Sequence, residues 1–138
     1  MKWHPSENLI FSASYDDTII CWRYDLNIDD WNCAYKMEGH ESTVWCKYIY
    51  LFSLFGIELD FDLTGKYLVS CGDDLNWMIW EISDKGFKNK GIIPKTHSRT
   101  IYSCSWSKVP IMGEEGEQIE LIATVRKRII FSIYYKEM

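Results

Sequence analysis

Three histidines, five cysteines and two adjacent acidic pairs are the residues of this 138-residue chain whose types suit chemistry. His40 and His97 carry a side chain fit to ligate a metal or to act as a base near neutral pH. Cys21, Cys33, Cys46, Cys71 and Cys104 could offer thiolates to iron or zinc, but such sites draw on closely spaced pairs. Here the successive gaps are 12, 13, 25 and 33 residues. An odd number of cysteines among apolar and aromatic neighbours, with no signal peptide, reads as reduced, buried thiols of a cytosolic or nuclear protein. Asp16-Asp17 and Asp73-Asp74 look like carboxylates paired for acid–base work. Each pair nonetheless sits in a tight turn, where Asp accepts hydrogen bonds from its own backbone. No Gly-rich phosphate loop, nucleophile elbow or H-E-x-x-H sequence occurs. The chain is therefore expected to be no enzyme and to hold neither metal nor cofactor.

Composition narrows the partners. With 47% apolar and 16% aromatic residues, the chain has the material for a packed core. A net charge of -5 gives no general attraction to phosphates, and the basic cluster is confined to Arg126, Lys127 and Arg128. Nucleic acid is thus not the expected partner. The longest apolar run, Tyr48 to Ile57, falls well short of the roughly 20 residues a helix needs to cross a bilayer, so no membrane association is expected.

The elements that position these side chains emerge from self-similarity. The stretch from Lys2 to Trp22 aligns without gaps on the stretch from Asp60 to Trp80, placing Trp3 on Phe61, Ser12 on Ser70, Asp16 on Asp74 and Trp22 on Trp80 at an offset of 58. HESTVW from His40 matches HSRTIY from His97 at an offset of 57, with Thr43 on Thr100, Val44 on Ile101 and Trp45 on Tyr102. A third copy follows, Leu121 to Thr124 answering Tyr67 to Ser70 and Tyr134 answering Trp80. Each unit consists of short runs rich in Ile, Val, Tyr and Trp between turns such as H-P-S-E-N, Y-D-D-T and L-T-G-K. No convincing helical period intervenes, so an all-β fold is expected.

Gly39-His40, the step from Ser70 to Asp74, and Trp80 resemble the signature of the WD-repeat family, whose blades are four-stranded sheets of about 40 to 45 residues. The resemblance implies a partial β-propeller of about three blades, not closed, with units at roughly 1–37, 43–82 and 98–136. It also implies that His40, Ser70, Asp74 and Trp80 form the family's structural hydrogen-bonded tetrad, complete only in the middle unit. A histidine for the first unit would precede Met1. In the third, Arg128 stands where Asp is expected, which predicts a loosely locked blade.

W-H-P-S-E-N, S-A-S-Y-D-D-T-I, D-D-W, E-G-H-E-S-T-V-W, S-C-G-D-D and H-S-R-T-I-Y further resemble, in order, middle and later blades of the adaptor of cytosolic iron-sulfur protein assembly, a seven-bladed member of the family. That likeness covers most of residues 1 to 106. It implies a piece of a protein-interaction scaffold, cytoplasmic and also nuclear, that helps deliver preformed clusters to apoproteins alongside other proteins of the targeting complex. It does not imply that this chain holds a cluster.

Two features depart from a regular propeller. The offsets exceed a WD repeat by about 13 residues, and the excess falls at 47–59, which reads either as an over-long strand or buried extension or as a translated intron. Propellers also close with about four to eight blades, so three are expected to leave open edges, marginal stability and self-association. Adaptors of this family bind through loops on one face. That nominates Thr43, Trp45, Thr100 and Tyr102 from the first strands of the blades, Tyr15 and Asp73 beside the turns, and Arg99, with aromatics and Arg favoured as anchors. The bland alternatives are inter-blade packing for Trp45 and Tyr102, and a solvated charge for Arg99. Rival readings of the whole are a generic WD-repeat adaptor of another complex, a direct metal or cluster binder, and a truncated, non-functional gene product.

Overall fold

The structure, a computed structural model, describes residues 1–42, 59–83, 85–94, 97–101, 103–114, 116, 118–125 and 132–137, with Val125 and 132–137 described by backbone alone. Every regular element among these residues is a β-strand, and all pairings are antiparallel. Strands β1 (Lys2–Trp3), β2 (Leu9–Ala13), β3 (Ile19–Asp25) and β4 (Asp30–Met37) form a first sheet in chain order. A second sheet follows, of β5 (Asp60–Phe61), β6 (Tyr67–Cys71), β7 (Trp77–Ser83) and β8 (Gly86–Ile93). The third comprises β9 (Ser103–Trp106), β10 (Ile111–Met112), β11 (Gln118–Val125) and β12 (Ser132–Glu137), with β9 and β10 both paired to β11. None of the three sheets closes on itself, so the fold is all-β and propeller-like but open.

The strand registers repeat with the sequence. Ile10 lies opposite Trp22, Leu68 opposite Trp80, and Ile122 opposite Tyr134. Lys2 faces Phe11 as Asp60 faces Val69. Even the irregularity recurs: the register slips between Cys21 and Trp22 in one sheet and between Ile79 and Trp80 in the next, leaving Ala34 and Lys90 as the extra residues of two bulges.

One bulge overturns part of the expectation of buried thiols. Cys21, Cys71 and Cys104 are buried, but Cys33 is exposed. It sits on β4, the outermost strand of its sheet, where the bulge at Ala34 breaks the two-residue alternation and turns the thiol outward. Cys46 lies outside the described residues.

The unit boundaries meet the sheets as follows. The middle sheet continues past residue 82 to Ile93. Residues 43–58, which hold nearly all of the excess stretch 47–59, lie outside the described residues, and Leu59 is buried. The third unit has a long connection of its own. Trp106 and Ile122, which pair as Phe61 and Leu68 do, stand much farther apart along the chain, and β10 lies between them.

Aromatic edges join the first sheet to the second. Phe11 meets Phe61 at 5.2 Å and Phe87 at 5.5 Å between ring centroids, and Tyr35 meets Phe87 at 5.0 Å, all edge to face. Between the second and third sheets, Trp106 stacks on Tyr67 at 6.4 Å. One continuous core runs through all three, from Leu9 and Phe11 to Trp106 and Ile122.

Candidate functional site

The turns joining the second and third strands of the first two sheets are built alike. Asp16 Oδ1 accepts from the Thr18 N–H at 3.2 Å, and Asp74 Oδ1 from the Asn76 N–H at 3.1 Å. Both turns pass through a left-handed residue, Asp17 (φ 66) and Leu75 (φ 65). This local Asx geometry leaves the second oxygen of Asp74 pointing at the segment that follows β4.

There the four side chains His40, Ser70, Asp74 and Trp80 are joined in one run of hydrogen bonds. His40 Nδ1 lies 2.7 Å from Asp74 Oδ2, His40 Nε2 lies 2.8 Å from Ser70 Oγ, and the Trp80 indole N–H donates to the same Oγ at 2.8 Å. Donor and acceptor roles follow from the two ends. A carboxylate can only accept, so Nδ1 carries its proton toward Asp74. An indole can only donate, so the Ser70 oxygen accepts from Trp80 while its O–H donates to Nε2. Burial pushes the Asp74 carboxyl up, but hydrogen bonds from His40 and from the Asn76 and Glu41 N–H groups outweigh it and hold the carboxyl below its ordinary value.

The flanking sheets carry parts of the same arrangement. In the first, Trp22 donates to Ser12 Oγ at 2.8 Å, while Asp16 turns to the Thr18 hydroxyl at 2.6 Å. In the third, His97 Nε2 meets Thr124 Oγ1 at 2.7 Å, and Arg128 lies outside the described residues.

The nominated docking residues distribute unevenly. Tyr15 and Arg99 are exposed, and Asp73 and Thr100 are half-buried. The Ile101 N–H donates to the Gly72 carbonyl at 3.4 Å, which sets Arg99 and Thr100 beside the Asp73 turn. Thr100 lies in the connection ahead of β9 rather than in a strand. Thr43, Trp45 and Tyr102 lie outside the described residues. The exposed Tyr15 belongs to the corresponding turn of the first sheet, so the described candidates share one end of the strands.

Two buried polar residues that sequence reasoning passed over tie the sheets together. Asp60, 3% exposed, accepts from the Trp106 N–H at 2.8 Å and from Ser105 Oγ at 3.3 Å, and pairs with both Lys2 and Lys108 at 3.2 Å. A single carboxylate of the second sheet thereby contacts the first and the third. Burial raises this carboxyl, yet the Trp106 N–H and the two lysines hold it below the ordinary value. His4 is buried as well: its Nδ1 accepts from the Ser6 and Glu7 N–H groups at 3.3 and 3.0 Å, so Nε2 carries the proton and donates to the Gly65 carbonyl at 3.0 Å. Asp60 stands on Lys2 in the repeat alignment, and that charge reversal between matched positions was the signal available. Among the described residues no three His, Cys, Asp or Glu side chains gather to hold a metal ion.

Residues 1–23 and 55–81 match the family described as WD domain, G-beta repeat. Over these two stretches the chain carries WD repeats. Its curated relatives include the probable cytosolic iron-sulfur protein assembly protein 1 of Chaetomium globosum, 29% identical over 99% of this chain and 30% of that protein. The protein of the same name from Scheffersomyces stipitis is 35% identical over 70% of this chain and 30% of its own length. The WD-repeat chain thus spans about a third of the length of the curated relatives it matches. Among solved structures, that of U3-55K superposes with a TM-score of 0.60 at 17% identity, covering 89% of this chain and 34% of that one, which supports the fold alone.

Proposed function

We propose that this WD-repeat chain is part of a non-catalytic protein-interaction scaffold in cytosolic iron-sulfur protein assembly, presenting rigid loops to other proteins of the machinery that delivers clusters to cytosolic and nuclear apoproteins. The observation that carries the reading is the likeness to relatives named for that assembly over 70 to 99% of the chain. The geometry suits a scaffold: the side chains of His40, Ser70, Asp74 and Trp80 satisfy one another in a buried network, and among the described residues no three His, Cys, Asp or Glu side chains gather to hold a metal ion. The cluster is cargo of the process, and the dispersed cysteines do not favour this chain as its carrier.

The docking end comprises Tyr15, Asp73, Arg99 and Thr100, with Thr43, Trp45 and Tyr102 nominated from the sequence. The tetrad His40, Ser70, Asp74 and Trp80 holds that end in shape. Affinity capture of the tagged chain from its own cells, read by mass spectrometry, tests this. Recovery of iron-sulfur assembly proteins, reduced by the double substitution Tyr15→Ala and Arg99→Ala, is the expected result. Recovery of an unrelated complex would instead favour a generic WD-repeat adaptor, and a brown anaerobic preparation with visible absorption would favour a cluster binder.

A further inference from the structure

The connection from first to second strand is where the three units differ most. It spans five residues in the first sheet, 4–8, and five in the second, 62–66, but fourteen, 107–120, lie between Trp106 and Leu121, the matched positions of the third. The surplus forms a hairpin of β10 and the start of β11, with Ile111 opposite Ile119 and Met112 opposite Gln118. Strand β11 starts three residues ahead of Leu121, whereas β2 and β6 start at Leu9 and Tyr67, the residues that match Leu121. At about 3.3 Å per residue, the hairpin projects about 10 Å past the strand ends of the other two sheets. Its base is anchored. The Ser107 N–H donates to the Leu121 carbonyl at 2.7 Å, the Trp106 indole N–H donates to Glu120 Oε2 at 2.8 Å, and Lys108 pairs with Asp60 at 3.2 Å. Its tip closes where the Gly116 N–H donates to the Gly113 carbonyl at 3.1 Å, with Gly116 at φ 84.

An apolar surface rides on this projection. Val109 is 73%, Ile111 49% and Met112 60% exposed. Ile111 and Met112 are consecutive on a strand and leave opposite faces of it, so one sheet laid against the third would not cover both. A surplus that the repeat does not require, carrying exposed apolar side chains with a polar rim, marks a contact with another protein. Charge sets the kind of partner. Residues 109–125 contain four glutamates and no lysine, arginine or histidine. Glu120 is turned inward to Trp106, which leaves Glu114, Glu115 and Glu117 in the segment that joins β10 to β11. We propose that the β10–β11 hairpin is a docking site for a basic protein segment, whose apolar side chains cover Val109, Ile111 and Met112 and whose lysines or arginines offset the negative charge of residues 114–117. The unbranched, polarizable Met112 side chain suits such a contact, because it adapts to the shape laid on it. The turns of Tyr15 and Asp73 join second strands to third, whereas this hairpin joins first to second, so the site lies at the opposite end of the strands. The inference rests on the surplus in the third unit and not on the iron-sulfur role.

Fluorescence anisotropy on the full 138-residue chain tests it, with circular dichroism to verify folding. The probes are labelled peptides that alternate leucine with lysine, leucine with glutamate, and serine with lysine. The leucine–lysine peptide is expected to bind, and the other two to bind at least about tenfold more weakly. Ile111→Ser combined with Met112→Ser alters exposed side chains and weakens the leucine–lysine peptide at least about tenfold. Glu114→Lys combined with Glu117→Lys moves the preference to the leucine–glutamate peptide, since the charge that selects the partner is reversed. If the first pair of substitutions does not fold, Val109→Ser with Met112→Ser takes its place. Equal binding of the leucine–lysine and serine–lysine peptides overturns the proposal, because net charge alone would then account for it. Undiminished binding by the folded serine variants overturns it as well, as does a wild-type chain that binds none of the peptides or stays unfolded.

Discussion

Ser70 Oγ is the node of the tetrad, accepting a hydrogen bond from the Trp80 indole N–H and donating one through its O–H to His40. Ser70→Ala leaves an indole N–H and an imidazole nitrogen buried without partners, which should cost about 1–3 kcal/mol in a urea melt. Ser12→Ala removes a single bond at a half-buried position and should cost clearly less. Two of the buried carboxylates contribute to the acid response. Asp60 and Asp74 release their protons more readily folded than unfolded, since both lie below the ordinary value of 3.8. Their contribution is complete above that value and is lost as pH falls through the lower folded values, where the unfolded chain has already taken up its protons. Stability to urea should therefore fall below about pH 4, and combining Asp60→Asn with Asp74→Asn should flatten the fall. Burial pushes the Cys21 thiol up to about 11, so it stays protonated at neutral pH. Alkylation followed by mass spectrometry should label Cys33 quickly, and Cys21, Cys71 and Cys104 only as the chain unfolds.

Elements are coupled through their turns as well as through their faces. The H-P-S-E-N turn of the first sheet reaches the L-T-G-K turn of the second, where His4 donates to the carbonyl of Gly65. Gly65 adopts φ +79, and a Cβ there would lie 2.6 Å from His4 Cε1 and 2.9 Å from Pro5 Cγ. Gly65→Ala meets both a backbone penalty and a collision, so a loss of about 2 kcal/mol or more is expected from chemical denaturation. In the double variant with His4→Ala the two losses should be less than additive, because the closer of the two collisions is relieved. Asp60 couples the strands β1, β5 and β9 in a similar way. Its lysine partners, Lys2 and Lys108, have side chains 39% and 51% accessible and can return to water, so Asp60→Ala should cost about 2 kcal/mol, mainly through the unpaired Trp106 N–H.

At the scale of the molecule, the middle sheet is covered by a neighbour on each side, whereas the outer two have one neighbour each. Strands β6 and β7 contribute Leu68, Val69, Ser70, Cys71, Trp77 and Met78, each no more than 1% exposed. The last backbone bonds to open should lie there. Hydrogen exchange is expected to be slowest at Val69, Ser70 and Ile79, faster in β4, and fastest in β10. Equal protection across the three sheets would contradict this ordering.

The repeat of Ser12, Asp16 and Trp22 on Ser70, Asp74 and Trp80 was legible before any coordinates, because turn chemistry and two-residue alternation are local properties of the chain. The grouping of His40 with Ser70, Asp74 and Trp80 was implied by the resemblance to the WD-repeat signature rather than by that matching. Cys33 was misread because its apolar neighbours say nothing of a bulge, which depends on how β3 and β4 slip past each other. Asp60 was passed over because its partners lie 45 or more residues away along the chain, and only packing brings Lys2, Trp106 and Lys108 to one carboxylate. The sequence by itself determined an all-β repeat chain, and its resemblance to the WD-repeat signature implied the four residues that bond at its centre. Tertiary structure alone decided which faces are covered and where buried charge is neutralised, since both depend on which sheet lies against which.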